Sequence, residues 1–95
     1  MAKYISLGRF RGATDFAQAP ARVEAIKKAL AAVGGKMETL YYTFGSYDFV
    51  ATFDVPNEEA MAAVGAWYAK LGVAEMTAMP ALSLEQMATA ASRIK

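Results

Sequence analysis

Gly45, Tyr47 and Asp48 stand together in the stretch LYYTFGSYDFVATF, residues 40–53, where a polar tetrapeptide interrupts two strand-like apolar runs. A carboxylate set among apolar neighbours and a phenol can serve as a general base if burial raises its pKa. Tyr47 and Asp48 are therefore the candidate catalytic pair. The plainer role for the same residues is a turn, with Gly45 permitting positive φ and the Asp48 carboxylate capping the turn's backbone N–H groups. Arg9 and Arg11 flank Phe10, a spacing suited to clamping an anion, and Arg22 near the start of a helix adds a third charge. Surface ion pairs explain these arginines equally well. Tyr41 and Tyr42 are adjacent, so in a strand they point to opposite faces. Whichever phenol borders a pocket can orient a small aromatic or carbonyl ligand, although core or interface packing competes with that role. Trp67 joins the candidate ligand contacts, with helix packing or an interface as its alternative.

The residues that are missing narrow the chemistry further. The chain has no cysteine and no histidine. A disulfide scaffold, a thiolate zinc site, a Ser-His-Asp triad and a His-ligated haem all lose their ligands or bases. What is left is carboxylate, tyrosine, lysine and arginine chemistry, and no metal or cofactor is expected. Ser83 has no base nearby and starts a helix instead of serving as a nucleophile. The six methionines sit mostly at core-like spacings, without the close repeats of a metal cluster.

Ten basic and nine acidic residues leave a net charge of +1, with no basic run longer than Lys27-Lys28, so nucleic acid is not an expected partner. No apolar run reaches the roughly 18–20 residues of a membrane span, and the N-terminus opens on a strand pattern. The expectation is a soluble, cytoplasmic protein without a membrane partner. Ninety-five residues suit one small domain, whose core is modest at this length. Yet the chain is 56% hydrophobic with a mean hydropathy of +0.20, more apolar than one small core can hide. Part of that surface is expected to meet another subunit.

The elements that must position these residues follow from periodicity. KYISLGRF (3–10) alternates as a strand. The connection after it, with Gly12, Thr14 and Asp15, has room for a helical turn around Phe16. From Pro20, Val23, Ile26, Leu30 and Val33 recur at helical spacing until Gly34-Gly35. KMETLYYTF (36–44) and DFVATFDV (48–55) form a hairpin across the Gly-Ser-Tyr segment. Asn57 caps a second helix with Glu58 and Glu59 in its first turn and Met61, Val64, Tyr68 and Leu71 on its apolar stripe, ending at Gly72. VAEMTAMPAL (73–82) is an edge strand, since Pro80 cannot donate to a ladder, and Ser83 caps a last amphipathic helix running through Ile94.

The order βαββαβ plus a C-terminal helix specifies a ferredoxin-like α+β fold, with helices on one face of a four-stranded antiparallel sheet. Along the strands Ile5, Leu7, Phe49, Ala51 and Phe53 group as one face, against a mixed set with Tyr4, Tyr41 or Tyr42, Thr43 and Thr52. The helix side of the second strand is undecided, because both of its registers are apolar. The uncovered face suits sheet-on-sheet packing of two copies into a dimeric α+β barrel, with a pocket between each sheet and its own helices.

The chain resembles the GYD domain proteins, whose Gly-x-Tyr-Asp signature is here Gly45-Ser46-Tyr47-Asp48. The likeness runs from YISLGRF through PARVEAIKKALAAVGGK to LYYTFGSYDFVATFDVP and EEAMAAVGAWYAKLG. It implies a ferredoxin-like domain of the dimeric α+β barrel type, in a family whose members mostly lack an assigned biochemical function. Family members usually place a serine before the proline of the first helix, where this chain has Ala19.

Two functional readings follow. The first is a small homo-oligomeric protein that binds a small molecule between sheet and helices. The second, by analogy of fold alone, is a cofactor-independent monooxygenase or isomerase acting on a small aromatic substrate through Tyr47, Asp48, a tyrosine at 41 or 42 and an arginine.

Overall fold

The computed structural model describes residues 1–12 and 14–94. Along the chain come β1 (Ala2–Phe10), a 3-10 turn (Phe16–Gln18), α1 (Ala19–Ala32), β2 (Lys36–Tyr42), β3 (Phe49–Val55), α2 (Glu58–Leu71), β4 (Ala74–Ala81) and α3 (Leu84–Ala91). The strands form one antiparallel sheet in the order β2-β3-β1-β4. This is the ferredoxin-like α+β arrangement, with β1 and β3 in the middle and β2 and β4 at the edges.

Local chemistry sets the helix ends. Asp15 accepts from the Ala17 N–H at 2.9 Å and caps the 3-10 turn, which runs straight into α1. Gln18, the N-cap of α1, makes no side-chain bond there, and Pro20 occupies the first turn, where its missing N–H costs nothing. Asn57 accepts from the Ala60 N–H at 2.9 Å. Glu58 and Glu59 in the first turn of α2 and Lys70 in its last complement the helix dipole.

The core lies between α1, α2 and one sheet face. Tyr4, Leu30, Ala51, Phe53, Val55, Met61 and Val64 form its main cluster, and Phe49, Tyr68 and Ala74 a second. The strand faces correct the sequence grouping. Tyr4 pairs with Phe53, Ser6 with Ala51 and Gly8 with Phe49 on the helix side, whereas Ile5 pairs with Thr52 and Leu7 with Val50, and the helix-side members of these pairs are the buried ones. Ile5 and Leu7 thus lie opposite Phe49, Ala51 and Phe53, and Tyr4 joins the core. Gly8 supplies the physical reason. A Cβ on Gly8 would run into the Phe49 ring, so only glycine fits under that ring. A one-residue slip would put Leu7 or Arg9 there instead.

A register shift between Met37 and Thr39 resolves β2. Met37, Leu40 and Tyr42 face the helices on either side of the bulge, and Thr39 and Tyr41 face away. Both registers of β2 therefore read as apolar because the strand changes phase partway. The bulge also lets Glu38 reach Lys3 at 3.1 Å.

Several element limits and one stripe position differ from expectation. β2 stops at Tyr42 and β3 starts at Phe49, so the hairpin link is longer than Gly-Ser-Tyr and is closed by the Thr43 N–H donating to the Asp48 carbonyl at 2.8 Å. Leu71 is half-exposed, and Ala60 takes a place in the buried stripe of α2. α3 ends at Ala91 instead of Ile94.

The face away from the helices carries Ile5, Leu7 and Val50, with Tyr41 (64% exposed) and Met79 (39%) toward its edges. The hydroxyls of Thr39 and Thr52 bond across it at 2.7 Å. α3 has a complete capping box between Ser83 and Gln86, yet none of its residues is buried. It extends the molecule to 50 × 31 × 19 Å with a radius of gyration of 14.7 Å, against about 12–13 Å for a compact chain of this length.

Candidate functional site

The Gly-Ser-Tyr-Asp turn fastens the end of β1. The Asp48 N–H donates to the Gly8 carbonyl at 2.7 Å, and the Asp48 carboxylate accepts from the Phe10 N–H at 2.7 Å. The Arg9 Nε donates to the Ser46 carbonyl at 3.0 Å, and its guanidinium lies 5.7 Å from the Tyr47 ring centroid. Thr43 Oγ1 donates to the Tyr47 carbonyl at 2.8 Å. Gly45 sits in this loop with φ +118, a backbone conformation that other residues adopt only under strain. Three consecutive residues of β1, Gly8 to Phe10, are thus each held by the signature turn.

Phe10, held in this way, anchors an aromatic cluster. Its ring centroid lies 5.4 Å from Phe49, 6.5 Å from Tyr42 in a stacked arrangement and 5.9 Å from Phe16, which stands edge-on. Phe16 is also edge-on to Tyr42 at 5.4 Å. These geometries add a specific electrostatic term to plain burial. The Arg22 guanidinium lies 5.6 Å from the Phe10 centroid. Its Nη1 donates to the Asp15 carbonyl at 3.3 Å, while Nη2 is buried with no hydrogen-bond partner among the described residues.

Arg22 and Phe10 are shared by two adjoining recesses. The inner one, about 30 Å³, lies between α1, α2 and the sheet and includes Ile26, Leu40, Tyr42, Phe49 and Tyr68. The outer one, about 230 Å³, includes Arg11, Thr14, Asp15, Gly72 and Val73. Burial pushes the Tyr68 phenol above its ordinary pKa; Arg22 pulls it down and Tyr42 pushes it up. A wider groove of about 530 Å³ runs between α2 and β4, with Tyr4, Met61, Gly65 and Met76 along it.

The candidates from sequence are therefore split. Tyr42 reaches the aromatic recess and Arg11 its mouth, whereas Tyr41 is on the far sheet face. Arg9 and Arg11 do not converge: Arg9 is engaged with the turn, and the arginine that joins Arg11 is Arg22. Trp67 is half-buried beside Tyr68, at a ring distance of 6.3 Å, and borders a shallow groove between α1 and α2 with Ala29 and Val64. Tyr47 and Asp48 line none of these recesses. Tyr68 and Phe16 were not singled out in sequence as site residues. The available signal was a phenol within an apolar helical stripe, whose hydroxyl must find a polar setting at the stripe's end.

Comparison with known proteins agrees with this architecture. A GYD domain model matches residues 4–91. Ribosomal protein S6 of the 30S subunit from Thermotoga maritima superposes with a TM-score of 0.68 at 14% identity, covering 97% of this chain and 98% of that one. FFRP-DM1 superposes at 0.61 with 13% identity, covering 86% and 100%. These two likenesses show the fold alone. TTHA0845 from Thermus thermophilus has a TM-score of 0.55 and 25% identity, covering 87% and 95%. No curated protein matches the chain.

Proposed function

The chain belongs to the GYD domain family, and we propose that it works as a small homo-oligomeric binding protein that holds a small molecule between its sheet and helices. The observation that carries this reading is the buried Arg22 Nη2, without a hydrogen-bond partner among the described residues, beside a recess walled by Phe10, Tyr42, Phe49 and Tyr68. An unsatisfied buried donor costs about 1–3 kcal/mol, more when charged, and a guest that accepts a hydrogen bond from it removes that cost. A few polar groups converging on an apolar recess are the usual composition of a small-molecule site. The second copy covers the Ile5, Leu7 and Val50 face, which would otherwise leave apolar sheet surface in water. The cytoplasmic setting belongs to the same proposal, and cell fractionation tests it.

Asp48 is on this reading a positioning residue: its carboxylate is bonded to the Phe10 N–H, and through Phe10 it sets the recess wall. Native mass spectrometry of gently purified protein tests the whole proposal. The expected species is an oligomer of the 10.2 kDa chain carrying a released small molecule at up to one per protomer. A bare monomer across the micromolar range contradicts it.

A further inference from the structure

We infer that the Arg22 recess takes a flat organic anion, a small carboxylate with a conjugated or aromatic body. This inference rests on the pocket reading above and adds the chemistry of the guest. Three features specify it.

The first is charge. Arg22 and Arg11 both border the outer recess. The acid there, Asp15, has its carboxylate turned to the Ala17 N–H and meets Arg22 through its backbone carbonyl. Guanidinium in this setting favours a carboxylate, which accepts in the plane of the fork. The second feature is shape. Phe10 and Tyr42 present near-parallel rings, 29° apart, next to Arg22. A flat body lies against such faces better than a branched one. Tyr42 and Tyr68, the phenols of the inner recess, supply hydroxyls for a second oxygen on the guest.

The third feature is closure. At about 30 Å³ the inner recess has room for a water molecule or two, not for a ring. Phe16 stands edge-on to both Phe10 and Tyr42, is 54% exposed, and is carried on a three-residue 3-10 turn. Phe10 and Arg22 are the walls common to both recesses, so movement of these two side chains, with Phe16 yielding beside Phe10, joins the recesses around a guest. The α2–β4 groove, by contrast, is wide and open; the buried Ser6 hydroxyl, also without a partner among the described residues, lies behind it and does not line it, and it is neutral where Arg22 is charged.

Isothermal titration of the wild-type protein with benzoate, benzamide and sulfate decides the matter. The expected result is benzoate binding about tenfold or more tightly than benzamide, the margin of one charge-assisted hydrogen bond, and more tightly than sulfate, which has no flat body. Arg22→Met should remove the preference for benzoate over benzamide, and circular dichroism checks that the variant folds. Equal affinity for benzoate and benzamide overturns the anion assignment while leaving the pocket standing. Sulfate binding as well as benzoate overturns the flat body. Binding of none of the three overturns both the inference and the pocket it rests on.

Discussion

The Asp48 carboxylate accepts a hydrogen bond from the Phe10 N–H at 2.7 Å, just beyond the last β1–β3 pair, Gly8 with Phe49. A side chain thus takes over where the ladder's carbonyls stop, and Phe10 keeps a fixed backbone at the strand end. Because Phe10 touches Phe16, Tyr42, Phe49 and Arg22, the signature turn sets the recess from outside it. Asp48→Ala should lower stability by about 1–3 kcal/mol, the cost of stranding a partly buried N–H. Asp48→Asn retains an acceptor oxygen and should lose less. Urea denaturation measures both, and an unchanged midpoint for the alanine variant would show that the bond has no structural weight.

Gly8 and Phe49 make the complementary prediction. A methyl group at position 8 would collide with the Phe49 ring, and overpacking of this kind costs about 1–3 kcal/mol. Gly8→Ala should therefore destabilise strongly in the wild-type background and much less in a Phe49→Leu background. A double-mutant cycle reads the coupling; additive losses would mean the ring moves aside freely.

The titration of Tyr68 gives a pH dependence. Burial raises its folded pKa above the ordinary 10.0, Arg22 opposes the shift and Tyr42 adds to it. As pH climbs, the unfolded chain loses this proton first, so the contribution to stability is complete below 10.0 and is lost as pH rises through the folded value. Lys3, whose pKa is raised by its hydrogen bond and charge interaction with Glu38, acts in the same direction in the same range. In a Lys3→Met background, Tyr68→Phe should flatten the alkaline fall in stability. Identical slopes with and without the phenol would contradict the burial of Tyr68 beside Arg22.

The open sheet face gives a test of assembly. Val50 lies at its centre, paired with Leu7 and Tyr41. Light scattering should return at least twice the 10.2 kDa chain mass for the wild type. Val50→Glu, which places a charge on that face without touching the helix-side core, should give the monomer. A wild-type monomer at micromolar concentration would remove the second copy from the account.

Much of the fold was legible from the sequence because periodicity and punctuation agree. Pro20, Asn57 and Ser83 start helices, and the strands are rich in β-branched and aromatic residues. The face assignment was not legible, for a specific reason. Ile5 and Leu7 look like core, but the sheet has two apolar faces, and the pairing of Gly8 with Phe49 decides which one meets the helices. A glycine does not announce the ring that will cover it. The bulge at Glu38 hid the phase of β2 in the same way, since period-2 reasoning assumes an unbroken strand. Of the site, Tyr42, Arg11 and Arg22 could be named as chemistry-bearing residues. Their convergence could not, because it depends on α1 and β2 meeting across a register that only the folded sheet specifies.

The central claim, that the ligand site is the Arg22 recess, is tested most directly by a 1H–15N correlation titration of the assembled protein with benzoate. Saturable shifts should concentrate at Phe10, Phe16, Arg22 and Tyr42, including the Arg22 side-chain N–H signals, while Gly65, Met76 and Ala78 along the α2–β4 groove stay in place. Shifts confined to that groove, or none at all, would contradict the claim.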